Sequence, residues 1–398
     1  MGVERTKVLS RHPANARDVI IVGAGPAGLM AAAGLAARGY DVVVLEEHDT
    51  IGIPVHCTGL LGLDAFDELD LPRSTIRSIC RSARFIAPDG QSVLIESEDV
   101  RAAVVERADF DAMLAGRARG AGATIEAGSA VRQIAIEKTG VHVRIAGGGA
   151  RRARALVLAC GARYRFNREL GLGVPRSFMQ TAQIDGPFVP RDHIDIEFGR
   201  AVAPRGFAWM VPFAREGRAY ARLGLMCDGS AASFFRRYAA SIADRYGVDA
   251  AALPPPRLKV LPLGPVRRTY AWRVLAVGDA AGLVKPTTGG GIYYGLLSGR
   301  IAADVLAEAL ARDGLDAGAL AAYETRWRAR LGPDIRAGLA FRAVAARLDD
   351  RAVNAMVRLA RLNGIVPLVK QHADFNWHRG AALALLRNPS FRRIIKRF

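Results

Sequence analysis

The chain has 398 residues, 51% apolar and 24% charged, the balance of a globular protein of two or three domains. Its four cysteines lie far apart, with no CxxC pair and no His at ligand spacing, which excludes a disulfide scaffold and leaves a metal centre without support. Lys and Arg (56) exceed Asp and Glu (38); the net charge of +18 suits an anionic partner or reflects the composition of an Ala- and Arg-rich chain.

Residues 1–17 are polar and mixed in charge, as expected of a loose tail. Residues 19–37 are apolar enough to imitate a membrane span, but Gly23, Gly25, Pro26 and Gly28 interrupt them and Arg38 closes them. They read better as a buried strand over 18–22, a glycine turn over 23–28 and a helix over 29–38 that Gly39 stops. A second strand over 41–45 ends at Glu46, which completes a βαβ unit with an acid about 20 residues after its GxGxxG turn. In such a unit Gly23 permits the tight turn and Gly25 lets backbone amides approach a pyrophosphate. Gly28 lets the helix pack close to the strand, and Glu46 accepts hydrogen bonds from the adenosine ribose. Pro26 and Ala27 belong to the same phosphate-facing turn.

Further along, 84–96 reads as a hairpin turning at 88–90, and 155–159 as another strand of the first sheet, ending at Cys160 and Gly161. Alternating runs over 183–227 predict an antiparallel sheet over the site. The run 274–277 predicts a strand that delivers Gly278 and Asp279 to the carboxyl edge of the sheet, where ligands bind in open α/β folds. Gly289, Gly290 and Gly291 then open a helix and offer backbone amides to a phosphate or a polarised ring oxygen. From 313 onward the chain reads as mostly helical. Its end places Phe391, Ile394, Ile395 and Phe398 on one helical face with Arg392, Arg393, Lys396 and Arg397 around it. Such a helix either lies on anionic lipid or docks on the protein with a solvated basic face. No nucleic-acid recognition motif accompanies the charge.

The two glycine motifs together resemble flavoproteins of the p-hydroxybenzoate-hydroxylase-like fold. The resemblance implies FAD, with its ADP half at the first turn and its ribitol at Asp279. It also implies that Arg107, in ERADFD at 106–111, reaches the FAD phosphates. Within that group the chain is most similar to geranylgeranyl reductases. PVHCTG at 54–59 is similar to their PxxCxG motif, GFAWMVP at 206–212 to their YxWxFP motif, and PTTGGG at 286–291 to their PxTGGG segment. Phe207 and Val211 replace the Tyr and Phe of the second motif.

The expected fold is therefore α/β: a Rossmann-like FAD-binding βαβ domain (18–75, 98–165 and 256–312), an antiparallel β-sheet substrate domain (76–97 and 166–255) and a helical C-terminal region (313–398). The expected activity is saturation of isolated C=C bonds in a prenyl lipid or prenyl diphosphate. The alternative is a flavin monooxygenase or halogenase acting on an aromatic or polyene substrate. Cys160 stands where hydroxylases of this fold carry an Asp, which weakens that alternative. Cys57 is either a proton donor to the substrate or a small packer beside the ring, with His56 pointing elsewhere. Trp209 shapes the reacting site, and Phe207, Phe213, Tyr293 and Tyr294 are expected walls of a long apolar pocket. With no second GxGxxG for a resident nicotinamide, the electron donor is expected to be transient NAD(P)H or reduced ferredoxin. The expected location is cytoplasmic, peripheral at the inner membrane face.

Overall fold

A computed structural model describes residues 16–96, 102–246, 253–362, 365–372 and 374–397. Of the tail expected over 1–17, residues 1–15 lie outside this set, and Arg17 already belongs to the first strand. Phe398 lies outside it as well.

The β-branched run Arg17–Val22 sits at the centre of an eight-stranded sheet. It is parallel to Val42–Leu45 on one side and to Ala150–Leu158 on the other. Val274–Ala276 pairs in parallel with Ala150–Leu158, and Thr124–Glu126 with Val42–Leu45. The central strand ends are fully buried, as continuous apolar runs covered on both faces require. The helix Pro26–Ala36 begins with Pro at its first turn and is followed by Gly39 at φ +86°. It packs against the helix Ile292–Ala311 so closely that a Cβ on Gly299 would stand 2.2 Å from the Ala27 carbonyl.

A seven-stranded sheet forms the second layer. Phe178–Pro187, Arg218–Cys227 and Phe207–Arg215 run antiparallel in turn, and Ile194–Glu197 joins them to the hairpin Ser82–Ile86 and Ser92–Glu96. The strand Arg257–Pro262 also belongs here. It pairs with Phe178–Pro187, although its place in the sequence groups it with the dinucleotide-binding segments. Its alternation explains this: Lys259 and Leu261 face the interior between the sheets, while Leu258 and Val260 are exposed. Ile76–Cys80 joins Ala102–Val105 and Leu60–Gly62 in a small third sheet instead of the second.

The helices Ala317–Ala345, Asp350–Leu362, Ile365–His372, Arg379–Arg387 and Pro389–Arg397 close the chain. Phe391 is buried, so the last helix uses part of its apolar stripe inside the protein, while Arg392 and Arg393 are exposed. No helix among the described residues is long and apolar enough to cross a membrane.

Candidate active site

A cavity of about 910 Å³ opens between the two large sheets and the C-terminal helices, at the upper end of the range for small-molecule sites. The first glycine turn forms one end. Gly23 has φ +106°, and a Cβ there would stand 2.4 Å from the Ala159 carbonyl, so only glycine fits. A Cβ on Gly28 would stand 2.2 Å from the Gly23 carbonyl; this residue packs the helix onto the strand and does not line the cavity. Gly25, Pro26 and Ala27 do line it, and nothing lies within 4 Å of where a Gly25 side chain would begin. The positive end of the helix Pro26–Ala36 is thus open to an anion. Glu46 lines the same end and accepts from the Ala24 amide at 2.8 Å.

The loop 52–59 brings Cys57 to the cavity wall, half-buried. Arg107, at the start of the helix Arg107–Gly120, is paired with Asp111 at 2.7 Å and also reaches the Cys57 thiol. Burial opposes its charge, but Asp111 and then Cys57 outweigh burial, so Arg107 is held charged. His56, expected to point away, also lines the cavity. Burial, then Lys259 and Arg257, push it below the usual histidine range.

Gly278 and Asp279 follow the strand Val274–Ala276 as expected. Asp279 is paired with Lys259 at 3.1 Å across the cavity. This carboxylate holds Lys259 above its ordinary range against the opposing effect of burial. Three polar side chains pin the turn: Tyr164 donates to the Asp279 carbonyl at 2.6 Å, Asn167 to the Ala280 carbonyl at 2.8 Å, and Ser298 accepts from the Gly278 amide at 2.9 Å. Gly289, Gly290 and Gly291 line the cavity next to this turn.

The second sheet supplies the opposite wall. Phe207, Trp209 and Val211 face the cavity on alternate positions of one strand. Trp209 lies across from Gly224, where a Cβ would stand 2.4 Å from the indole, so the ring rests on bare backbone. The indole N–H is buried with no acceptor among the described residues.

Three expected pocket walls fall elsewhere. Phe213 shares a strand face with Trp209 but lies two repeats further along, past the end of the cavity. There it packs with Cys80 and Val104 and carries the Arg222 guanidinium 4.5 Å from its ring centre. Tyr293 and Tyr294 are turned away because successive helical residues rotate by about 100°. Ile292 and Gly295 face the cavity instead, Tyr293 bonds to Glu68, and both tyrosine rings pack on Trp377.

Four residues of the site carry no motif and escape the sequence: Lys259, Lys285, Tyr164 and Arg222. Lys259 and Lys285 read as ordinary surface charges in a basic chain, although the Pro that follows Lys285 marks it as part of a turn.

A family model for lycopene cyclase protein matches residues 18–341. Over 358 residues the chain is 32% identical to digeranylgeranylglycerophospholipid reductase 2 of Methanothermobacter thermautotrophicus, which covers 86% of this chain and 91% of that protein. It belongs to the geranylgeranyl reductase family. Solved structures agree on the fold. A geranylgeranyl bacteriochlorophyll reductase-like protein from Thermoplasma acidophilum superposes with a TM-score of 0.81 at 23% identity, covering 96% of this chain and 98% of that one. A probable FAD-dependent monooxygenase from Pseudomonas aeruginosa superposes less closely, with a TM-score of 0.63 at 21% identity over 86% of this chain and 100% of that one. Membership in the geranylgeranyl reductase family makes the protein a flavin-dependent oxidoreductase, and the open glycine turn beside Gly25 fits such a cofactor.

Proposed function

We propose that the protein is an FAD-dependent reductase that saturates isolated C=C bonds of a geranylgeranyl-type lipid or prenyl diphosphate. The observation that carries this reading is the continuity of one cavity. It runs from the glycine turn at Gly23 and Gly25, past Cys57 and Arg107, to the apolar wall of Phe207, Trp209 and Val211. Such a cavity suits a dinucleotide at one end and a chain without polar handles at the other.

Gly25, Pro26, Ala27, Glu46 and Arg107 hold the ADP half of the cofactor in this reading, and Asp279 with Gly278 and Gly289 to Gly291 holds the rest. A bound flavin, once reduced, supplies hydride to one carbon of the double bond. In this reading Trp209 and Phe207 orient the prenyl chain, and Cys57 either gives the proton to the other carbon or packs beside the ring. Arg107, fixed by its pairing with Asp111, keeps a positive charge at the phosphate end. The electron donor in this reading is NAD(P)H or reduced ferredoxin. The exposed Arg392 and Arg393 of the last helix give the enzyme an electrostatic hold on anionic lipid at the cytoplasmic face, worth about 1 kcal/mol per basic group.

The test is a mass spectrum. The purified flavoprotein is reduced with dithionite without oxygen and offered a panel of geranylgeranyl compounds. Products heavier by hydrogen pairs support the reading. An unchanged panel, with oxygen or halogen added after aerobic NADPH and halide, overturns it.

A further inference from the structure

Three buried or half-buried cations line the inner cavity close to the glycine motifs, and they differ in their partners. Arg107 holds Asp111 and Lys259 holds Asp279, each within salt-bridge distance. Lys285 is 4% exposed, and among the described residues it has no carboxylate within 4 Å. Its ammonium donates to the Phe375 carbonyl at 2.7 Å and lies 4.7 Å from the centre of the Phe375 ring. An ammonium has three donors, so one carbonyl leaves most of its capacity unused.

The neighbours do not supply the missing charge. His378 is buried at the same carbonyl, with Nε2 3.1 Å from the Phe375 oxygen and Nδ1 2.5 Å from the Thr287 hydroxyl. A carbonyl only accepts, so Nε2 carries the proton and Thr287 donates to Nδ1. Burial and then Lys285 hold His378 down to about 3, so it stays neutral. Burial lowers Lys285 itself to about 8, and the more distant Asp334, Asp374 and Asp64 offset this only in part. A buried charge without a counter-ion is costly unless something in the working state pairs with it.

The place of Lys285 says what that partner is. Its backbone amide donates to the Gly290 carbonyl at 3.0 Å and its carbonyl accepts from the Gly289 amide at 2.8 Å, so the glycine turn curls around the root of this side chain. A Cβ on Gly290 would stand 2.8 Å from Lys285 Cε and 3.5 Å from Nζ, and one on Gly291 would stand 2.8 Å from the Asp279 carboxylate. The turn is therefore bonded to the Lys285 backbone and lies closely packed between the Asp279 carboxylate and the Lys285 side chain, with no room for a Cβ at Gly290 or Gly291. A flavin gains a negative charge when two electrons reduce it at neutral pH, so the working state of this cavity differs from its resting state by one anion.

Resting on the reading of the protein as an FAD-dependent reductase, we infer that Lys285 is the counter-ion of the reduced flavin, a residue that sets the reduction potential without holding the oxidised cofactor. The ammonium gains its partner only on reduction, which stabilises the reduced form over the oxidised one. The alternative source of negative charge is the phosphate of a prenyl substrate, and it predicts a different response.

The experiment measures the midpoint potential of the FAD-loaded protein, without substrate, for wild type, Lys285→Met and Lys285→Arg. Affinity for oxidised FAD is followed by flavin fluorescence. Lys285→Met is expected to weaken the hold on reduced relative to oxidised FAD at least tenfold, ~30 mV lower for a two-electron couple. Its affinity for oxidised FAD stays within about twofold of wild type, and Lys285→Arg recovers most of the potential. An unchanged potential in Lys285→Met overturns the inference. If KM then rises for a prenyl diphosphate and not for the matching alcohol, the ammonium belongs to the substrate head. A lowered potential in a protein that reduces no prenyl compound leaves this inference standing and overturns the proposed function. Failure of the wild type to bind FAD overturns both.

Discussion

Arg222, on the second sheet, donates to the carbonyl of Thr58 at 2.7 Å, one residue from Cys57. The same guanidinium donates to the Val105 carbonyl at 2.8 Å and to Glu106, the residue before Arg107. It is fully buried and lies over the Phe213 ring, so one side chain ties the Cys57 loop, the start of the Arg107 helix and the strand that carries Trp209 together. Arg222→Met leaves the Thr58 and Val105 carbonyls without this donor and Glu106 and Asp185 with Arg215 alone, a loss expected to cost about 3 kcal/mol. Arg222→Lys keeps the charge but not the fork, and it should lower kcat more than it raises KM. Urea unfolding and steady-state kinetics on the two variants check this. Wild-type kinetics in Arg222→Lys would remove the positioning role.

The glycines of the first turn separate cofactor binding from folding. A Cβ on Gly28 meets the Gly23 carbonyl, so Gly28→Ala is expected to destabilise the flavin-free protein by at least about 1–3 kcal/mol. Gly25 has an ordinary negative φ of −78° and open space around its Cβ position. Gly25→Ala should therefore stay within about 1 kcal/mol of wild-type stability while FAD affinity falls at least tenfold. Thermal unfolding without flavin, set beside FAD titration, reads both effects. Equal losses of stability in the two variants would contradict the assignment.

Motifs make this part of the site legible in the sequence. Gly23, Gly25, Glu46, Cys57, Asp279 and Trp209 all line one cavity, because each stands at a strand end or turn whose geometry its neighbours dictate. Phe213, Tyr293 and Tyr294 fall outside it because composition and spacing tell which face of an element is apolar, not which partner covers it. The missing phase is visible at Tyr293: a helix that opens at Ile292 presents 292 and 295 to the cavity and turns 293 away. Arg222 and Lys285 escape the sequence for another reason. A charged residue in a chain of net charge +18 gives no sign of being buried until the strands that bury it are paired.

Cys57 lies beside Arg107 and lines the cavity, where the proposed reaction would use it as a proton donor or as a packer. Cys57→Ala is expected to lower kcat for prenyl reduction at least ~10²-fold, the scale of a lost proton donor, with the bound-flavin spectrum unchanged. Rapid-mixing of the dithionite-reduced variant with a geranylgeranyl compound isolates the chemical step. A reoxidation rate near wild type would assign Cys57 to packing alone.

Trp209 can lie flat only because residue 224 lacks a side chain. Gly224→Ala places a methyl 2.4 Å from the indole and must push the ring toward the cavity. Loss of activity on long prenyl chains is expected to exceed the loss on short ones, since the ring then narrows the apolar arm. FAD affinity is expected to hold. A chain-length series of kcat/KM values tests this, and a uniform loss over the series would point to damage of the sheet instead.

Lys285 also leaves a signature in the stability of the flavin-free protein. Its pKa lies near 8 when folded and returns to the ordinary 10.5 when unfolded, because burial penalises the ammonium. A base whose folded pKa is depressed destabilises the fold while it is charged in both states. The cost is therefore complete below pH 8 and disappears as the pH rises toward 10.5. The shift corresponds to a penalty on the order of 3 kcal/mol, reduced by whatever the Phe375 contacts return. Lys285→Met is expected to be more stable than wild type by about 1–3 kcal/mol at pH 7, with the gain shrinking between pH 8 and 10.5. Urea midpoints of both proteins across that range decide the matter. A variant that is less stable at pH 7 would mean that the ammonium is paired in the resting protein, and the charge left for a reduced cofactor would then have to be found elsewhere.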